Sequence, residues 1–243
     1  MELHGRVALV TGGGRRVGRA LAEALGRAGA RVAVHYNSSS AGADEAVAAI
    51  RAGGADAAAF KANLVDASAI APLIDAVVAR FGGLDVLVNS AAVMERTPIG
   101  SVTAEQWDAM FALNLRAPFL LSQAAAPHLS ARRGAIVNMA DLAAFESWPA
   151  YVPHGISKAG IVQMTRALAR VLAPTVRVNA IAPGAVLLPD DWDDASGEHL
   201  EQTTPLRRLG SPDDVVGAML YLLGADYVTG ETIIVDGGRH VRA

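Results

Sequence analysis

The 243-residue chain contains no cysteine. That excludes a disulfide scaffold, a thiolate zinc site, an iron–sulfur cluster and a cysteine nucleophile, and no metal is expected. Aromatic residues are scarce at 5%, and positive charge is not in excess: 21 Lys and Arg stand against 24 Asp and Glu, a net charge of −3. No basic footprint for nucleic acid or an anionic membrane follows from such a balance. No uncharged apolar run reaches about 18 residues, so no membrane span is expected. Residues 1–5 lead directly into Val7-Ala8-Leu9-Val10, which reads as a strand and not as a signal peptide, so a cytoplasmic location is expected. What the chain does have is 52% hydrophobic residues and 24 glycines. A chain of this length buries roughly 70–75% of its unfolded surface and needs no covalent staple.

Short β-branched runs alternate with longer Ala/Leu-rich stretches. The pattern predicts strands over 7–11, 31–36, 56–61, 85–89, 135–139, 176–181 and 232–235, and helices over 17–28, 44–51, 68–80, 104–129, 157–172 and 212–223. Strand–helix alternation implies parallel strands joined by right-handed crossovers. Continuous apolar strands such as Val86-Leu87-Val88 suit a sheet covered on both faces. The expected fold is α/β: one doubly wound Rossmann-like domain over 1–243, with a seven-stranded parallel sheet. Ser211-Pro212-Asp213-Asp214 and Thr103-Ala104-Glu105-Gln106 read as helix starts, the second as a capping box. Gly29 stands where a left-handed helix end is usual.

Thr11-Gly12-Gly13-Gly14-Arg15-Arg16-Val17-Gly18 joins the first strand to the first helix. Glycines there let backbone N–H groups approach a pyrophosphate, and the helix N-terminus adds partial positive charge. The second strand ends Val34-His35-Tyr36-Asn37-Ser38-Ser39, without the acid that holds a free ribose 2′-hydroxyl in NAD sites. Arg16, with the Ser hydroxyls, instead suits a 2′-phosphate. NADP(H) is therefore expected over NAD; the competing reading of Arg16 is a solvated residue at a helix start.

With the Thr11–Gly18 loop, Asn89-Ser90-Ala91-Ala92, Asn114, Lys158, Pro183-Gly184 and Val235-Asp236-Gly237-Gly238, the chain resembles the short-chain dehydrogenase/reductase family along essentially its whole length. The resemblance implies a nicotinamide cofactor held by Gly12, Arg15, Arg16, Val17, Tyr36, Asn37, Ser38, Asn63, Leu64, Asn89, Ala91, Lys158, Pro183 and Gly184. Asn63 replaces an Asp usual near the adenine, and Arg16 replaces a loop Gly. The family's catalytic set is Ser, then Tyr thirteen residues later, then Lys four beyond. Here the Ser position holds Asp141 and the Tyr position His154, followed by Lys158. Arg16, the 35–38 segment and Asn138-Met139-Ala140-Asp141 resemble the pteridine-reductase branch, which also carries Asp at the Ser position but keeps the Tyr.

Reducing a C=O or C=N bond needs a proton donor beside the heteroatom. A neighbouring Lys ammonium favours a neutral imidazole, whereas a carboxylate favours imidazolium. Asp141 and His154 are thus a coherent double replacement: His154 donates the proton, Asp141 orients it or binds a substrate N–H, and Lys158 holds the nicotinamide ribose. Asn114 is expected to support a water chain behind Lys158. Tyr151 and Trp192 are candidates for the small-molecule substrate. The competing readings are a structural His154, a capping Asp141, a solvated Lys158 and a packed Tyr151.

In the family the stretch over about 187–205 is a lid. Six acids and no Lys or Arg lie between Asp190 and Glu201, which suits cationic or nitrogen-rich substrates, or simply a solvated loop. The helical run over 104–129 is apolar on several faces and must be buried somewhere; a homo-oligomer, dimer or tetramer, is expected. The leading reading is an NADPH-dependent reductase of C=N or C=O bonds, with pterin-like or cyclic imine substrates. The alternatives are a ketone or 3-oxoacyl reductase, and a cofactor-binding protein without catalysis.

Overall fold

Val7–Val10, four residues with no solvent exposure, form β1 in the middle of the sheet. The computed structural model describes residues 1–188 and 194–241. After β1 come α1 (Arg16–Arg27), β2 (Arg31–Tyr36), α2 (Ser40–Ala52), β3 (Ala57–Lys61), α3 (Ile70–Phe81), β4 (Val86–Asn89), α4 (Ala104–Phe111), α5 (Ala117–Ala131) and β5 (Ala135–Met139). Then follow α6 (Val152–Leu172), β6 (Arg177–Pro183), α7 (Asp194–Thr203), α8 (Pro212–Gly224) and β7 (Thr232–Val235). Among the described residues the sheet has seven strands in the order β3-β2-β1-β4-β5-β6-β7, every neighbouring pair parallel.

Alternation along the strands builds two cores. Ala8, Val10, Val32, Val34, Val86 and Val88 face α1, α2 and α8, meeting Leu21, Leu25, Ile50, Val215 and Met219. Val7, Leu9, Ala33 and Leu87 face the other way, toward Ile74, Val77, Leu121 and Leu129 of α3 and α5. Strand order reverses between β1 and β4, and such a switch point opens a crevice at the carboxyl ends of the strands. The opposite end is closed by buried Asp85, which accepts from Arg6 at 2.7 Å and from the Val7 N–H at 2.9 Å.

Several boundaries differ from expectation. α2 begins at Ser40, four residues early, and α6 begins at Val152, five residues early, with Pro153 in its first turn. His154 is therefore helical, and Lys158 lies well inside α6, not at its start. The run expected as one helix over 104–129 is interrupted: Ala112–Arg116 form a wider turn with i→i+5 bonding between α4 and α5. α7 was not anticipated. The expected capping box is present at Thr103/Gln106, and at the start of α8 the Asp214 carboxylate accepts from the Ser211 N–H at 2.7 Å. Gly29 is left-handed, at φ +84°.

Candidate active site at the switch point

Gly12 adopts φ +66°, and a Cβ there would stand 3.1 Å from the Ala91 Cα; a Cβ on Gly18 would collide with the Gly12 carbonyl. The glycines thus let the loop, α1 and the exit of β4 crowd together. Two side chains outside the expected site fix this arrangement. Thr11 Oγ1 accepts from the N–H groups of Ser90 (2.9 Å) and Ala91 (3.0 Å). His35 Nδ1 accepts from the Gly12 N–H at 3.1 Å, and the His35 carbonyl accepts from Gly13 at 2.9 Å. The other ring nitrogen faces the Ala62 carbonyl at 3.1 Å; since a carbonyl only accepts, Nε2 carries the proton. Burial pushes the His35 pKa below its ordinary value, against a smaller opposing effect of the Ala62 carbonyl. The available signal was one histidine in an otherwise apolar strand, next to the glycine loop.

Above the loop lies a cleft of about 450 Å³. Gly12, Arg15, Arg16, Val17, Tyr36, Asn37, Ser38, Asn63, Leu64, Ala91, Asp141, His154, Lys158, Pro183 and Gly184 all line it. Asn89 does not; it is buried beneath, donating to Asn138 Oδ1 at 2.8 Å and Ser122 Oγ at 3.3 Å, with its own Oδ1 unpartnered among the described residues. Arg16 departs from expectation. It stands at φ +50°, a conformation natural to the glycine usual there. Its guanidinium donates to the carbonyls of Leu187 (2.8 Å) and Leu188 (3.0 Å), not toward the 35–38 segment. Arg15, the N-cap of α1, is the other arginine lining the cleft.

At the far end stand the three altered-motif residues. Asp141 caps a short turn: its Oδ1 accepts from Ala143 N–H at 2.8 Å. Its Oδ2 lies 3.6 Å from His154 Nε2, with the His side chain 3% exposed and the Asp side chain 23%. Both line the cleft, the carboxylate as its more exposed member and the imidazole as the more buried, an arrangement that suits the expectation of Asp141 meeting a substrate N–H. His154 Nδ1 faces the Val93 carbonyl at 3.2 Å, so Nδ1 carries the proton in the neutral ring. Nε2 is buried without a hydrogen-bond partner among the described residues. Lys158 Nζ donates to the Met139 carbonyl at 2.8 Å. Burial brings the Lys158 pKa down to about 8, with Asp141 acting in the opposite sense.

Among the described residues Asn114 makes no hydrogen bond to Lys158. From the wide turn it holds Val93 from both sides, accepting from its N–H (2.9 Å) and donating to its carbonyl (2.9 Å), and it donates to Ser157 Oγ at 3.2 Å. Its effect on the site therefore passes through the carbonyl that anchors His154. Tyr151 does not line the cleft; it packs edge-on against Trp148, ring centres 6.3 Å apart. Trp192, with Asp190, Asp191 and Asp193 of the acid-rich stretch, lies outside the described residues. Among those residues, no group of three or more His, Asp or Glu could hold a metal ion, and no helix is long and apolar enough to cross a membrane.

The residues present fit a dinucleotide. The cleft sits at the switch point, its glycine cradle has no room for a Cβ, and Arg15 lines it together with an acid-free β2 end. Fold and cleft together define a doubly wound protein of the dinucleotide-binding class. The chain belongs to the short-chain dehydrogenase/reductase family: the family described as "Enoyl-(Acyl carrier protein) reductase" matches residues 13–240. It is thereby an oxidoreductase of the short-chain type. It is 37% identical to a 3-oxoacyl-[acyl-carrier-protein] reductase of Synechocystis, over 97% of each chain. Among solved structures it is similar to a dehydrogenase/reductase from Sinorhizobium meliloti 1021, with 34% identity and a TM-score of 0.92 over 98% of this chain and 97% of that one. It is also similar to a blue fluorescent protein from a metagenomic library in complex with NADPH, with 32% identity and a TM-score of 0.92 over 98% and 99%.

Proposed function

We propose that the protein is an NADPH-dependent reductase of a C=N or C=O bond in which Asp141 and His154 together handle the proton. The observation that carries this is their pairing: an unpartnered buried imidazole nitrogen 3.6 Å from a carboxylate oxygen, at the mouth of a cleft that Lys158 also lines. The bound reduced nicotinamide supplies the hydride. Arg15, the 12–18 backbone and the hydroxyl and amide groups of 37–39 hold the nucleotide end. The absence of an acid at the end of β2 supports NADPH over NADH. Lys158 positions the ribose once it exchanges the Met139 carbonyl for a sugar hydroxyl. His154 takes up or releases a proton at Nε2 while the Val93 carbonyl keeps Nδ1 protonated, and Asp141 stabilises the imidazolium.

His154→Ala is expected to lower turnover at least 100-fold, in the range of lost acid–base catalysis, while NADPH still binds by fluorescence titration. Turnover equal to the wild type would remove His154 from the reaction. A second reading, ketone or 3-oxoacyl reduction, is favoured by the Synechocystis relative's name. The finer assignment to the pteridine-reductase branch rests on Asp141 and Arg16. NADPH absorbance followed over ketones, cyclic imines and dihydropterins separates these readings. Tight NADPH binding with no turnover on any of them is the signature of the third, a binding protein without catalysis.

A further inference from the structure

The usual pair at this site, two hydroxyls, offers two protons to a carbonyl oxygen. The pair here offers none in its neutral state. Asp141 Oδ1 is already occupied by the Ala143 N–H, so the carboxylate presents Oδ2, an acceptor. His154 Nδ1 is committed as a donor to Val93, so the neutral ring presents Nε2, also an acceptor. Two acceptors 3.6 Å apart repel unless a donor comes between them. Charge points the same way. A hydroxyl at position 141 would leave the Lys158 ammonium uncompensated and hostile to a cation; the Asp141 carboxylate cancels it. A ketone oxygen brought to this post would face lone pairs on the group that fronts the cleft.

Building on the reductase reading above, we propose that the Asp141–His154 acceptor pair selects a substrate that brings its own N–H: a protonated imine, bound as a cation with its N–H directed at Asp141 Oδ2. The iminium carbon accepts the hydride from the reduced nicotinamide. The C=N pair settles on nitrogen as a lone pair, the nitrogen keeps its proton, and the product leaves as the amine. One positive charge passes from the iminium to the oxidised nicotinamide, so the hydride step itself consumes no proton; where the imine arrives neutral, the His154 imidazolium first gives its Nε2 proton to the imine nitrogen, which leaves the acceptor pair holding the N–H. Asp141 touches the substrate nitrogen, and His154 accepts from the same N–H or from a second one. Reactions feeding this site would condense an amine with a carbonyl or oxidise an amine.

The test compares matched pairs with the full chain and NADPH: 3,4-dihydroisoquinoline against α-tetralone, and 1-pyrroline against cyclopentanone. kcat/KM is expected to be at least tenfold higher for each imine, and Asp141→Ser, which restores a hydroxyl donor, should move the ratio at least tenfold toward the ketone. A binding readout accompanies it. With NADP⁺ present, calorimetric titration should show tetrahydroisoquinolinium binding at least tenfold tighter than its N,N-dimethyl quaternary analogue, which has the charge but no N–H. Ketones reduced as well as imines, an unmoved ratio in Asp141→Ser, equal affinity of the two cations, or binding of neither overturns the N–H inference while leaving a reductase. Failure of all four substrates and of dihydropterins to oxidise bound NADPH overturns the reductase reading and this inference with it.

Discussion

Two buried titratable residues make the site pH-sensitive, in opposite directions. His35 holds the Gly12 N–H only with an unprotonated Nδ1, and its burial favours the neutral ring. The unfolded chain takes up that proton first, near pH 6.5. The brace therefore contributes fully above that pH, and its contribution falls as the pH drops through the lower folded value. We expect thermal stability and NADPH affinity to decline as the pH falls below about 6.5, and His35→Gln, an acceptor that does not titrate, to flatten the decline. An unchanged slope in the variant would separate His35 from it. Lys158 sets the alkaline side. Its ammonium is lost near pH 8, and Asp141 is what holds the value that high against burial. The free-enzyme kcat/KM should fall above about pH 8, and Asp141→Asn should shift that limb to lower pH; a limb that stays or rises would contradict this ordering of causes.

At the scale of elements, β2 and β5 were legible because burial on both faces leaves an apolar signature, and the half-buried edge strand β7 through its β-branched run Thr232-Ile233-Ile234-Val235; all three have the expected bounds. α6 was begun five residues late because Pro153 reads as a breaker, although in the first turn its missing N–H is not needed. The cleft residues were legible through glycine placement and motif spacing. The tether of Arg16 and the deeper burial of His154 than of Asp141 were not, because spacing along a chain says nothing of side-chain direction. The wide turn at Ala112–Arg116 was equally hidden, since one extra residue leaves the 3.6-residue pattern nearly intact. Its consequence is the double grip of Asn114 on Val93. Asn114→Ala strands the N–H of Val93 in a partly buried place, at about 1–3 kcal/mol, and leaves the Val93 carbonyl to His154 Nδ1 alone, which loosens that anchor. We expect a matching loss in urea denaturation together with a lower kcat at nearly unchanged NADPH affinity. A loss of stability with full kcat would make Asn114 purely structural.

Among the described residues an apolar face lies open on the side of α4, α5 and α6. Phe111, Leu115, Phe119, Met164 and Leu168 line a hollow of about 700 Å³, with Asp108 and Arg116 at the same place. Trp107 stacks on Phe111 with ring centres 4.3 Å apart, and Phe119 is 44% exposed. Single exposed apolar residues need no explanation, but a contiguous aromatic and aliphatic hollow spanning three helices does. We propose that a second copy of the chain covers it. A two-fold contact is self-complementary, and Asp108 and Arg116 of one face are suited to meet Arg116 and Asp108 of the other. The helices that form the face also hold the site, since α6 bears His154 and Lys158 and the wide turn beside α4 bears Asn114. Phe119→Arg places a charge in the hollow without touching the cleft. Sedimentation velocity should give a dimer or tetramer for the wild type and a smaller species for the variant, which should retain NADPH binding. A wild-type chain that sediments as a monomer at micromolar concentration, or a Phe119→Arg variant that assembles unchanged, would remove this face from any assembly.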